Sequence, residues 1–193
     1  VSMRWVGAEA DDQFGAFRRI DRAGGWNEFR EGVRHCTVPG LNFVYGDLRG
    51  HIGYQAGARI PIRGGKQSPL LPVPGWESSL SWRGVVPFDA LPRTFDPPAG
   101  FIASANNPVT NASAPHYITN LWEPSARYNR LREVLGRSGE VFSAADFQRL
   151  QNDTYSPYAK EIVPYIMAAF ADTAGLTEED RAALEYLRNW NYY

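Results

Sequence analysis

Between Gly57 and Gly100 the chain carries eight of its 14 prolines, in PVPGW, VVPFDALP and DPPAG among others. Proline fixes φ and has no backbone N–H, so this stretch admits neither a long helix nor a central strand. Trp76, Trp82, Phe88 and Phe95 are interleaved with the prolines, and a segment with that aromatic content is not a disordered linker. The expectation is an ordered run of short extended pieces, wrapped over a core and pinned by its aromatics.

The two sides of this run read differently. In GGWNEFREGVRHC, Trp26, Phe29, Val33 and Cys36 form one apolar stripe of a short helix that starts after Gly24-Gly25, with Glu28, Arg30, Glu31 and Arg34 opposite. LNFVYGDLRGHIGYQ then reads as strands 41 to 46 and 51 to 55 joined by a tight turn at Asp47-Leu48-Arg49-Gly50. After Trp122 the period becomes helical. Tyr128, Leu131 and Leu135 share a stripe closed by Gly136 or Gly139. Ser143 is an N-cap with Asp146 three residues on, and Phe142 and Phe147 can staple that helix start. A third helix runs through YAKEIVPYIMAAF, entered or kinked near Pro164, and a fourth starts at Thr177 with Glu178, Glu179 and Asp180 in its first turn. The fold class expected is α+β: extended in the first half, helical in the second. Residues 1–124 would form a sheet-forming part with an N-terminal helix and the proline-rich wrap, and residues 125–193 a helical subdomain.

At 193 residues the chain is long enough to bury a core, as one large domain or two small ones. Aromatics make up 13 %, which suits a deep core or an apolar pocket. Twenty basic residues against 21 acidic ones leave a formal charge of −1, which removes the electrostatic basis for a nucleic-acid partner. No apolar run approaches the ~20 residues of a membrane span. The N-terminus VSMRWVGAEA lacks the regions of a signal peptide. The lone Cys36 has no partner for an internal disulfide, and His35, His51 and His116 lack metal-ligand spacing.

Most candidate chemistry reads as ordinary surface. There is no G-x-S-x-G elbow, and His116 is best taken as a loop or packing residue. Arg63-Gly64-Gly65-Lys66 lacks Walker spacing and reads as a solvated turn. Asn111 and Asn152 open glycosylation sequons, a frequent chance pattern, and Asp153 with Glu161 reads as a solvated face rather than a catalytic carboxylate pair. Ser2 would become N-terminal on loss of Val1, but MRWVGAEADDQ turns polar too soon to begin a buried strand behind a nucleophile. FIASANNP, residues 101 to 108, is an apolar run read as a strand that ends on two amides. Two readings stand: Asn106 and Asn107 are turn formers ahead of Pro108, or one amide is aimed at a ligand.

MRWVGAE, GWNEFREGVRHCTVPGLNFVYGDLRGHIGYQ, SPLLPVPGW, WRGVVPFDALPRTFDPPAGFIASANNPV, LWEPSARYNRL and LQNDTYS occur in that order over nearly the whole chain. Together they resemble the penicillin acylase family of N-terminal nucleophile hydrolases, at an internal stretch of its catalytic β chain. The resemblance implies an αββα fold of two stacked antiparallel sheets covered by helices, with a helical excursion late in the β chain. It implies a parent enzyme that hydrolyses N-acyl amide bonds through a serine at the start of the β chain, upstream of this segment. The remaining partners would be the α chain, the start of the β chain and a small N-acyl amide substrate. On this resemblance residues 1–193 alone are inactive, and a sheet cut from its neighbours is open to self-association. The location implied is periplasmic or extracellular.

Residue by residue, the first asparagine of the pair, Asn106, matches the family's oxyanion-hole amide. Arg127, a few residues after LW, matches an arginine that supports the active-site network; an ordinary ion pair is its alternative. Phe17 and Leu41 correspond to residues of the acyl pocket, with simple core as the alternative. No cofactor is expected. Calcium belongs to some parent enzymes, where the proline matching Pro69 gives a carbonyl, but His116 stands about where an aspartate ligand is expected and imidazole is a poor calcium ligand. A non-catalytic homologue or an aromatic-rich binding module is the rival function.

Overall fold

The computed structural model describes residues 1–9, 12–65, 70–111, 114–137 and 139–193. It divides into two compact units, one of Val1–Ile102 with Pro108–Leu121 and one of Ala103–Asn107 with Trp122–Tyr193.

The first unit begins with two short helices, α1 (Gln13–Asp21) and α2 (Trp26–Arg34). The Asp12 carboxylate accepts the Gly15 N–H at 2.8 Å and so caps α1. Gly32 lets the two helices close together, because a Cβ there would stand 2.7 Å from Ile20 Cγ1 and 2.8 Å from the Ile20 nitrogen. Strand β1 (Leu41–Gly46) pairs antiparallel with β2 (Ile52–Gly57), Leu41 opposite Gly57 and Tyr45 opposite Gly53. Their turn is held by the Asp47 carboxylate, which accepts the N–H groups of Arg49 (2.8 Å) and His51 (3.1 Å), while Gly50 takes φ = 87°. The sheet order places β5 (Arg93–Phe95) on the other side of β2, and β3 (Pro61–Arg63) pairs separately with β4 (Trp82–Val85).

Strand alternation puts Leu41, Phe43 and Tyr45 on the face that receives the helices. There Phe29, Val33 and Tyr45 are buried, with Ile20, Trp26 and Phe43 packed around them. Each such side chain contributes about 1.5–3 kcal/mol on burial. The glycines opposite make room: a Cβ at Gly53 would meet the Trp26 ring at 2.5 Å. Between them Gln55 is fully buried and satisfied, accepting from Arg30 Nε (2.9 Å) and donating to the Ala56 carbonyl (3.0 Å). A second cluster of Ala56, Ile60, Val86 and Leu91 collects Tyr54, Ile62 and Ile118.

The proline-rich run is ordered where described, as short strands and single 3₁₀ turns, with Pro61 admitted at the first position of β3. Phe95 stacks on Trp26 and Arg4 lies over Trp82, but Trp76 is 86 % exposed and pins nothing. FIASA is not a strand: residues 101 to 105 join no ladder among the described residues, and the chain bends at Ala105–Asn106.

The second unit holds α3 (Ala126–Leu135), α4 (Ala144–Gln151), α5 (Pro157–Ala169) and α6 (Glu178–Asn189). Ser143 with Asp146 and Thr177 with Asp180 form capping boxes, and Phe142 and Phe147 meet at 6.3 Å. Helix α5 starts at Pro157 under a Ser156 cap, so Pro164 lies inside it rather than at its entry. Arg130 ties the unit together. It donates to Asp153 (2.7 Å), pairs with Glu133 (3.0 Å), reaches the Tyr193 hydroxyl (3.3 Å) and lies 4.6 Å over the Tyr155 ring. Among the described residues no helix is long and apolar enough to cross a membrane.

Candidate active site

The bend in the second unit is built around one residue. Asn106 has φ = 59°, the left-handed region that side-chain-bearing residues hold at a cost of roughly 1–2 kcal/mol, least for Asn. Ala105 and Asn107 on either side are buried while Asn106 is exposed. The Asn107 Oδ1 accepts the Ala105 N–H at 3.0 Å, and the Glu123 N–H donates to the Asn106 carbonyl at 3.1 Å. The exposed side chain therefore stands on a backbone clipped on both sides.

Arg127 sits in the first turn of α3, where a cation works against the helix dipole and no acidic residue offsets it. Its Nη2 donates to the Asn106 Oδ1 at 2.7 Å and to the Ala105 carbonyl at 3.2 Å. Guanidinium has only donors, so the carboxamide oxygen must face it and the NH₂ must face away. Among the described residues Asn106 Nδ2 donates to no partner. The product is a neutral N–H donor at the surface, held in orientation and polarised by a neighbouring cation, which is the kind of group that stabilises a developing oxyanion. Asn106 and Arg127 are thus brought together; the part played by Asn107 and the Glu123 N–H was not visible in the sequence, where Asn107 read only as a turn former.

Phe17 and Leu41 belong to the first unit. Phe17, on α1, is 42 % exposed and its ring lies 6.2 Å from that of Phe43. Leu41, at the start of β1, is 39 % exposed and shares the helix-facing side of the strand with Phe43.

Other chemistry is absorbed by structure. Cys36 is buried, and burial pushes its thiol pKa up, away from the reactive thiolate. His51 Nδ1 meets the Asp96 carboxylate at 2.7 Å, and the Ile52 N–H is the main cause holding that carboxyl below its ordinary value; the pair ties the start of β2 to the end of β5. Asp89 is held low chiefly by Arg30 at 2.6 Å, with Arg34 and Arg93 also on it, and clasps α2 to the wrap. Asp153 is not a solvated carboxylate beside Glu161 but the partner of Arg130. Pro69 lies outside the described residues. Among the described residues no three His, Cys, Asp or Glu side chains gather as a metal site.

All 193 residues match the family model described as penicillin amidase. The chain belongs to the penicillin amidase family. Penicillin acylase 2 proenzyme of Pseudomonas sp. (strain SE83) is 36 % identical over 151 residues, 78 % of this chain and 19 % of that relative. Penicillin G acylase of Escherichia coli is 29 % identical over 195 residues, 98 % of this chain and 22 % of the relative. Acyl-homoserine lactone acylase QuiP of Pseudomonas putida is 27 % identical, covering 93 % of this chain and 21 % of the relative. The chain therefore spans about a fifth of the length of these penicillin amidase relatives. A solved structure, the thermostable penicillin G acylase from Alcaligenes faecalis, superposes with a TM-score of 0.65 at 26 % identity, over 91 % of this chain and 31 % of that one. The mixed helix-and-sheet fold is that of a segment of an N-terminal nucleophile hydrolase.

Proposed function

We propose that this chain is part of an acylase that hydrolyses N-acyl amide bonds, with the attacking serine located upstream of it in the same protein. The observation that carries the reading is the Arg127–Asn106 bond, which turns a neutral amide donor outward in a chain whose whole length matches the penicillin amidase family. The serine hydroxyl attacks the amide carbonyl and its own α-amine takes the proton. The carbonyl oxygen becomes an oxyanion, which Asn106 Nδ2 meets with an N–H while Arg127 holds the amide's other end. Collapse releases the amine, and water cleaves the acyl-enzyme. The substrate class supported by the relatives' names is an acylated amine such as a penicillin or an acyl-homoserine lactone. Phe17 and Leu41 are assigned to the acyl group, since each offers half-exposed apolar surface.

Asn106→Ala in the enzyme expressed from its complete gene is expected to lower kcat by about 10²–10³ while KM changes little, because the bond is made to charge that develops only in the transition state. Turnover unchanged by the substitution would favour a non-catalytic homologue.

A further inference from the structure

Asn106 holds a left-handed φ of 59° although it carries a side chain, so something must keep it there. Two clips around it use backbone oxygens: the Glu123 N–H on the Asn106 carbonyl and Arg127 on the Ala105 carbonyl. Another is a side chain. Asn107 is 6 % exposed, and its Oδ1 takes the buried Ala105 N–H at 3.0 Å, closing a ring across Asn106 itself. A residue serving only to end an extended run has no need to bury its carboxamide, which must be hydrogen-bonded once it is inside. Without that acceptor the Ala105 N–H is left buried and unmatched, and Asn106 is free to relax toward negative φ, which swings its amide away from the direction Arg127 sets.

We infer that Asn107 is a positioning residue: its side-chain oxygen, by holding the Ala105 N–H, locks Asn106 in the left-handed conformation that aims its amide at the reacting carbonyl. The inference rests on the acylase reading and adds a residue to it. It acts on kcat, because a misaimed donor loses transition-state stabilisation without touching the rest of the bound substrate.

The test is a double-mutant cycle on the enzyme expressed from its complete gene, with unfolding midpoints recorded for every variant. Asn107→Ala is expected to lower kcat by roughly 10-fold or more with KM within about twofold. Asn107→Asp, which keeps an acceptor oxygen at the same distance, is expected to retain most of kcat. In the Asn106→Ala background, Asn107→Ala should cost nothing further, since no amide remains to be aimed. If Asn107→Ala yields no folded enzyme, Asn107→Ser replaces it, its side chain being one bond too short to span to Ala105. A wild-type kcat for Asn107→Ala, or the same fold loss with and without Asn106, overturns the positioning role while leaving the acylase reading intact. A wild-type kcat for Asn106→Ala overturns both.

Discussion

At the scale of single residues, the two asparagines show how far one-dimensional reading reaches. Their types and order marked a bend or an aimed amide; the structure centres a left-handed turn on Asn106 and sets its carboxamide oxygen against Arg127. Asn107 was legible only as a turn former because its task depends on burial, which local chemistry does not report. Asp153 was misread for the same reason, since its partner Arg130 lies 23 positions away in sequence. That pair has a pH signature. Burial works to raise the Asp153 carboxyl, but the Tyr155 N–H and the Arg130 guanidinium outweigh it and hold it below its ordinary value of 3.8. A depressed folded pKa means that the contribution is fully present above the ordinary value and is lost as pH falls through the lower folded one. The helical unit should therefore lose stability on acidification below about pH 4, and Asp153→Asn should flatten that dependence while costing about 1.5–3 kcal/mol at neutral pH. Thermal unfolding of both proteins between neutral pH and pH 3 checks it; parallel pH curves would refute the assignment.

At the scale of elements, what was legible was whatever carries its own local signal. The helix at Trp26, the 41–55 hairpin, the Ser143 cap and the helix start at Thr177 were visible because a stripe, a turn or a cap lies within a few residues. Helix α1 was missed, although Asp12 as cap and the Phe17, Ile20 spacing could have found it. FIASA was overread, because an apolar run becomes a strand only where a neighbour offers its ladder. Trp76 was overread likewise: an aromatic among prolines does not by itself find a core. The pairing of β1 with β2 makes a sharper demand. A methyl at Gly57 would stand 2.7 Å from the Phe43 ring and 2.9 Å from Val33, which is fully buried and cannot yield. Gly57→Ala should destabilise the first unit by about 1–3 kcal/mol, read as a lowered unfolding midpoint, whereas an unchanged midpoint would mean that the helix-facing side of the sheet is less tightly filled.

At the scale of the whole molecule, the chain spans about a fifth of the length of its curated relatives. It brings a fixed donor and half-exposed apolar side chains; the nucleophile is assigned elsewhere. The central claim is that the Asn106 amide, and not merely the bend it makes, serves amide hydrolysis. Glycine separates the two, because it adopts the same positive φ without strain and brings no amide. The decisive measurement is kcat of Asn106→Gly against wild type in the enzyme expressed from its complete gene, with the unfolding midpoint recorded alongside. The account predicts a midpoint close to wild type and a kcat lower by about 10²–10³. A kcat within about twofold of wild type would contradict it and leave Asn106 as a turn residue alone.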